Sequence, residues 1–290
     1  MKLALLTFSG LPQGDADDSH LVDAFKQLGV EIDWLIWDHI EHPLKHDLAV
    51  IRSVWDYHKK PKLFIEVMQR LNEYMVVLNS PSVVRWNSEK SYLKDLQDAG
   101  LPMAETQWID EMPAVDSLTE LLKICDTDVW FLKPAIGADA SGTLRFKADA
   151  DGIQKAMTHL QQHLSHSTMM LQPFLPSVSD EGELSVIYMG DQLTHAVIKK
   201  PKTGDYRVQD TFGGVDFPYQ LSPAECALAD RCMAFLWHRF GVFTYARLDF
   251  LRNFSGQWVL NEVELIEPSL FFRHCPRAAQ TFVDYILKQV

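Results

Sequence analysis

The chain has 290 residues, of which 47% are hydrophobic and 23% charged, so it is an ordinary folded protein with material for one large or roughly two to three small domains. Its 27 Lys and Arg stand against 39 Asp and Glu, a formal net charge of −12 that repels phosphate backbones and argues against a nucleic-acid partner. No apolar run reaches the roughly 18 residues of a membrane helix. The apolar start, Met1-Lys2-Leu3-Ala4-Leu5-Leu6, stops at Ser9-Gly10 and reads as a first buried strand rather than a secretion signal. Four cysteines without a Cys-x-x-Cys pair make a reduced, cytoplasmic compartment the default expectation.

Strand and helix alternate through the opening segment. Strands are expected over 2–8, 31–37, 48–54 and 75–78, with helices over 19–28 and 61–71. That order predicts a parallel sheet with helices on its faces, and ligands of such sheets lie at the carboxyl ends of strands. Two loops qualify, 9–19 and 52–57. Asn79-Ser80-Pro81 marks a break. Asn87-Ser88 is expected to cap a helix running to Ala99, with Gly100 ending it. A strand over 129–133 enters a small-residue loop, 135–142. Residues 169–172 form another strand, and 184–189 and 195–199 flank the hairpin signal Gly190-Asp191. A helix is expected over 223–240, a second hairpin over 244–251 and 257–265, and a closing helix over 276–289. There is no internal repeat.

The last hairpin is the most informative piece. If its loop is 253–256, Arg252 faces Gln257. Alternation then sets Arg247 and Asp249 on one face with Leu260, Glu262 and Glu264, and Ala246, Leu248, Phe250, Val259 and Val263 on the other. Three carboxylates gathered with one arginine need a cation among them, and hard oxygen ligands suit Mg²⁺. A loop of odd length would reverse the parity and leave a solvated acidic face.

Lys133 ends an apolar strand just before Gly137, Ser141 and Gly142, whose small size lets backbone N–H groups approach phosphate oxygens. The same loop also reads as a tight surface turn. Lys90, one turn into its expected helix, opposes the helix dipole unless an anion joins it, or is simply a solvated lysine. Residues 169–175 run from a strand into a proline-stiffened connector able to hinge two lobes. Around it Gln172, Asp180 and Glu183 offer polar contacts. Lys199 and Arg207 belong to a cationic stretch that fits either a phosphate site or a solvated surface. The clusters His159, His163, His166 and His39, His42, His46 read as polar surface rather than metal ligands.

The order of these pieces is what carries a resemblance. A helix lysine, a strand lysine with a small-residue loop, a hinge, an acid after it, a Lys/Arg segment and then Asp…Glu-x-Glu resembles the ATP-grasp superfamily over roughly Asn79 to Phe272. The stretch from Gly182 through Arg207, and Asn261-Glu262-Val263-Glu264-Leu265-Ile266-Glu267-Pro268, is most similar to glutathione-synthetase-like, ribosomal-protein glutamate-ligase-like and cycloserine-ring-forming members. The resemblance implies an α/β protein with α+β lobes: an N-terminal parallel domain over 1–82, a central lobe over 83–175 and a C-terminal lobe with the metal site over 176–290. It implies Lys90 and Lys133 on the nucleotide phosphates, with Gly137, Ser141 and Gly142 in the phosphate loop. Gln172, Phe174 and Leu175 would line the adenine hinge, with Asp180 or Glu183 on the ribose. Asp249, Glu262 and Glu264 would hold Mg²⁺, and Lys199 and Arg207 would steady the transferred group. Two departures stand out: Glu264 where many members have Asn, and Gln172 where the hinge often starts with Glu.

The implied activity is an ATP- and Mg²⁺-dependent carboxylate–amine ligase acting through an acyl phosphate on a small amino-acid-like or peptide substrate. Two metal ions are expected, with Mn²⁺ able to substitute. Partners are small-molecule carboxylates and amines, with no nucleic acid or membrane, and a homodimer is admissible. The rival readings are a ring-closing or thiol ligase and a non-catalytic nucleotide-binding regulator; Arg207 together with all three acids favours an enzyme. The loop Arg52-Ser53-Val54-Trp55-Asp56-Tyr57 supplies the substrate expectation. Arg52 would grip a carboxylate, Asp56 an ammonium, and Trp55 or Tyr57 would wall the pocket. The alternative is structural, with Arg52 and Asp56 paired to each other and Trp55 in the core.

Overall fold

The computed structural model describes residues 1–40, 44–137 and 141–289. His42 and Pro43, and positions 138–140 of the small-residue loop, lie outside the described residues.

The opening segment forms the expected parallel sheet, with strands β1 Lys2–Thr7, β2 Glu31–Ile36, β3 Leu48–Ser53 and β4 Val76–Leu78 in the order β2-β1-β3-β4. Alternate residues along β1 explain its two covers. Leu3 and Leu5 pack with Leu21 and Phe25 of helix α1 (Ser19–Gln27), whereas Ala4 and Leu6 pack on the other side with Phe64 and Met68 of α2 (Pro61–Asn72).

One helix was expected over 87–99, but two form: α3 Pro81–Asn87 and α4 Tyr92–Asp98. Pro81 opens α3 at its first turn, where the missing N–H costs nothing. Asn87 does not cap a helix. Its side chain donates to the Val263 carbonyl at 2.8 Å and accepts from the Leu265 N–H at 2.8 Å, so it ends α3 and pins a later strand. Lys90 consequently sits in the turn between the helices rather than one turn inside one. Val83, Leu93 and Leu96 of this pair share a core with the third sheet described below.

The second sheet is antiparallel, in the order β5-β8-β6-β7, with β5 Gln107–Ile109, β6 Val129–Pro134, β7 Leu144–Lys147 and β8 Met169–Pro173. Helices α5 Val115–Leu121 and α6 Ala150–His163 cover one face, Leu118, Ala156 and Leu160 meeting Trp130, Leu132 and Leu171. Short α7, Ser177–Asp180, leads into the third sheet. Its strands are β9 Glu183–Met189, β10 Gln192–Lys200, β11 Val215–Tyr219, β12 Tyr245–Arg252 and β13 Trp258–Glu264, antiparallel in the order β11-β10-β9-β12-β13. Helix α8, Pro223–Phe240, matches its expectation because every local signal agrees. Ser222 and Glu225 form a reciprocal capping box, Pro223 opens the first turn, and Gly241 follows the last residue with φ 81°.

The third sheet is buried on both sides. Leu184, Val186, Leu248 and Phe250 face α8, α3 and α4, while Ile187, Met189, Val197 and Tyr245 face the N-terminal sheet and the closing helix α9, Pro276–Leu287. The N-terminal unit and the last sheet therefore share one core. No described helix is long and apolar enough to cross a membrane.

Candidate active site

Its floor is the β12–β13 hairpin. The turn is longer than the sequence suggested, so Arg252 lies opposite Trp258 rather than Gln257, and Phe250 lies opposite Leu260. That shift alone would have turned the acids away. A bulge at Asn261 adds one unpaired residue, after which Asp249 faces Glu262 and Arg247 faces Glu264. The two irregularities cancel, and Arg247, Asp249, Glu262 and Glu264 all border one cavity of about 450 Å³. Leu260, expected on the acidic face, instead packs with Phe250 in the core.

Cations and acids alternate across this cavity. The Lys90 ammonium donates to Glu262 Oε1 at 2.8 Å and to the Gly137 carbonyl at 2.9 Å. Lys199 lies 2.6 Å from Glu183 and 3.2 Å from Asp249. The Arg247 guanidinium spans Asp249 and Glu264 and donates to the Ser269 carbonyl at 3.1 Å. Lys133 is buried, and among the described residues its ammonium hydrogen-bonds Asn261 Oδ1 alone, at 3.4 Å. Burial therefore pulls its pKa down to about 8 despite Glu262 nearby. Burial alone would raise the Asp249 carboxyl, but Arg247 and Lys199 hold it below the usual range; Lys90 and Lys133 do the same for Glu262. In Glu264 burial prevails over Arg247, and the carboxyl is pushed up.

The other end is apolar. Phe174, Leu175, Val178 and Leu251 form a small buried cluster with Tyr206 and Phe131 against it, and all six border the cavity. The Tyr206 ring stands edge-on to Phe131 at 5.3 Å and to Phe174 at 6.0 Å. Gln172 closes this slot, donating its amide to Thr106 Oγ1 at 2.6 Å and leaving its carbonyl oxygen as acceptor. Arg207 borders the cavity but is drawn to Asp205, 2.7 Å away, with its guanidinium 3.9 Å from the Phe212 ring centre.

Gly137, Ser141, Glu183 and Trp55 also line the cavity; Gly142, Asp180, Arg52 and Asp56 do not. Asp180 is exposed on α7. The Gly142 carbonyl accepts from the His159 ring at 2.8 Å, so that histidine fastens the loop from behind. Arg52 is 3% exposed, with Nη2 2.7 Å from Asp18 Oδ1, and cannot offer its fork to a ligand. Asp56 accepts from the Trp37 indole at 2.7 Å. The substrate expectation for Arg52 and Asp56 is corrected accordingly, and so is the proposed pairing between them. The sequence reading left out Phe131, Val178, Tyr206, Asn261 and Glu267. Phe131 was recoverable, since it lies two residues before Lys133 and so shares its strand face.

Among the described residues no three His, Cys, Asp or Glu side chains form a ready-made metal cage. The donor set nevertheless fits Mg²⁺, which rests on one or two carboxylates and takes its remaining oxygens from phosphates and water.

Two facing antiparallel lobes, a buried lysine on each, an aromatic slot and an acidic floor define an ATP-grasp ligase. Residues 114–269, more than half the chain, match the family described as prokaryotic glutathione synthetase, ATP-grasp domain, and the chain belongs to it. It is an ATP-dependent carboxylate–amine ligase. Residues 3–79 match the N-terminal domain of D-cycloserine synthetase DcsG. The cycloserine biosynthesis protein DcsG of Streptomyces lavendulae is 24% identical over 304 residues, covering 99% of this chain and 98% of that protein. A glutathione synthetase of Ralstonia nicotianae is 24% identical over 225 residues, 78% of this chain and 61% of the relative. The crystal structure of D-cycloserine synthetase DcsG superposes with a TM-score of 0.88 at 22% identity, over 100% of this chain and 99% of that one.

Proposed function

We propose that the enzyme activates a substrate carboxylate as an acyl phosphate, which an amine then attacks. The observation carrying this is the meeting of Lys133, Lys199 and Arg247 with Asp249 and Glu262 around one cavity. Adenine fits the slot of Phe131, Phe174, Leu175 and Tyr206, its amino group reaching the Gln172 carbonyl. Lys90, Lys133, Gly137 and Ser141 hold the phosphates. Of the two acids expected on the ribose, Glu183 borders the cavity, where it also pairs with Lys199, whereas Asp180 is exposed on α7 outside it. Asp249, Glu262 and Glu264 would hold Mg²⁺, as two ions and with Mn²⁺ as a substitute; bound there, Mg²⁺ neutralises phosphate charge and aligns the oxygens. The division at 1–82, 83–175 and 176–290 belongs to this reading, with α3 and α4 serving the C-terminal lobe.

In the first step a carboxylate oxygen attacks the γ-phosphorus and ADP leaves. Lys199, Arg247 and Arg207, once released from Asp205, neutralise charge spreading over the transferred oxygens. The amine nitrogen then attacks the acyl carbon, phosphate departs, and the nitrogen loses its proton. The cavity walls must exclude water, which would otherwise hydrolyse the acyl phosphate. With ¹⁸O in the substrate carboxylate, one label should appear in the released phosphate alongside ADP. Unlabelled phosphate, or AMP as product, overturns the acyl-phosphate route. Ring closure within one substrate is the second reading, favoured by full-length likeness to the cycloserine biosynthesis protein. Under it, a single substrate suffices for ADP release.

Lys133→Ala should weaken ATP binding about tenfold to a hundredfold, the cost of one charge-assisted contact of ~1.5–3 kcal/mol. Because the lysine is buried without an ion pair among the described residues, its loss should leave the unfolding midpoint near wild type. Titration calorimetry and thermal melts check both. Equal ATP affinity in the folded variant would move Lys133 away from the phosphates.

A further inference from the structure

Beyond the nucleotide residues, the cavity ends against Asp15, Trp55 and Tyr57 of the N-terminal unit and Glu267, Ser269 and Phe271 of the segment following β13. Among the described residues, the carboxylates lining the cavity are engaged by protein, with one exception. Glu183, Asp249, Glu262 and Glu264 each face Lys or Arg. Asp210 faces Arg273 at 3.4 Å, and Asp15 accepts the Asp17 N–H at 2.9 Å. The Glu267 carboxylate makes no hydrogen bond or ion pair among the described residues. Only its backbone oxygen is used, by the Trp55 indole N–H at 3.1 Å. The hydroxyl of buried Tyr57, at the same end, also has no partner among the described residues.

Glu267 is half-buried and borders the cavity with no cation in contact with its carboxylate among the described residues, so a ligand that brings a positive charge is favoured there. Burial, followed by repulsion from Glu264, pushes the Glu267 carboxyl up, and Lys90, attracting it from beyond contact distance, offsets only part of that. Arg247 cannot provide it by contact, being committed to Asp249 and Glu264. A carboxylate bordered by aromatic faces and a free hydroxyl is the complement of a protonated amine.

The geometry points to Glu267 as the residue that selects the substrate, its carboxylate receiving a protonated amine beside Trp55 and Tyr57. This rests on the ligase reading, and it specifies substrates that carry an ammonium group apart from the reacting carboxylate. It also moves the ammonium contact from Asp56 to a residue of the segment that follows β13. An amino acid should therefore bind, and the 2-hydroxy acid of identical skeleton should not.

The test uses the full chain with Mg²⁺ and a non-hydrolysable ATP analogue. Common amino acids of both hands and the matching 2-hydroxy acids serve as probes in calorimetry, with ADP release measured in parallel using ATP. Wild type should bind at least one amino acid about tenfold to a hundredfold more tightly than its hydroxy counterpart, the worth of a charge-assisted contact. Glu267→Gln should erase that preference while nucleotide affinity and melting temperature stay at wild-type values. Glu267→Asp, which keeps the charge on a shorter arm, should restore part of it. Wild type that binds no amino acid, or that binds the hydroxy acids equally well, overturns the subsite. So does a Gln variant that still discriminates. Tight amino-acid binding with no ADP release under any pairing would instead overturn the ligase reading and leave the subsite standing.

Discussion

Arg52→Ala is expected to destabilise the protein by about 3–5 kcal/mol, the cost of leaving one partner of a buried ion pair uncompensated. Arg52 Nε and Nη2 lie 3.1 and 2.7 Å from Asp18 Oδ1, and the two side chains are 3% and 2% exposed. The guanidinium also sits 5.5 Å from the centre of the Tyr245 ring, whose hydroxyl bonds the Ile51 and Ile266 carbonyls at 2.6 and 2.7 Å. The pair thus clasps the N-terminal sheet to the segment that leaves β13. Removing Arg52 strands Asp18, one of whose oxygens already lacks a partner. Urea unfolding should show the loss, and substrate KM in the remaining folded fraction should stay close to wild type. A double replacement, Asp18→Leu with Arg52→Met, should recover most of the stability, since apolar pairs often equal buried ion pairs. A stable Arg52→Ala enzyme with a selectively raised KM would return this residue to substrate binding.

Glu262→Gln should lower kcat by about 10²–10³, the scale on which losing one preorganised electrostatic contact to the transition state is felt. Glu262 lies 2.8 Å from Lys90 and borders the cavity beside Asn261 and Glu264, where the proposed nucleotide would bring its phosphates. Gln keeps shape and one oxygen but removes the charge that a divalent ion requires. The Mg²⁺ concentration for half-maximal activity should rise, whereas nucleotide affinity in chelator should hold or improve, because one negative charge near the phosphates has gone. Steady-state rates across a Mg²⁺ series, paired with metal-free nucleotide binding, separate the effects. Wild-type turnover at limiting Mg²⁺ would remove Glu262 from the metal site.

Much of this protein is written in local patterns. Alternating apolar runs and helix signals are short-range physics, so the parallel sheet, α8 and the Gly190-Asp191 hairpin were legible as such. So was the family, because the spacing of Lys133, Gln172, Lys199, Asp249, Glu262 and Glu264 follows chemistry that needs those types in that order. The short strands β5, β7 and β11 were not legible: they hold three to five residues, lie at sheet edges or pair late, and acquire their conformation from neighbours.

Tertiary structure decided the rest. The acids face the cavity only because a longer turn and the Asn261 bulge offset each other, and no periodicity in β13 distinguishes that outcome from its reverse. Arg52, Asp56 and Glu267 are three charged residues beside aromatic or apolar neighbours, alike in sequence. What separates them is whether a distant residue reaches them first: Asp18 takes Arg52, Trp37 takes Asp56, and Glu267 is left open to the cavity. A charge becomes structural or functional according to the partners that folding brings to it from far along the chain. Sequence determines that the charge is there, and only packing determines who neutralises it.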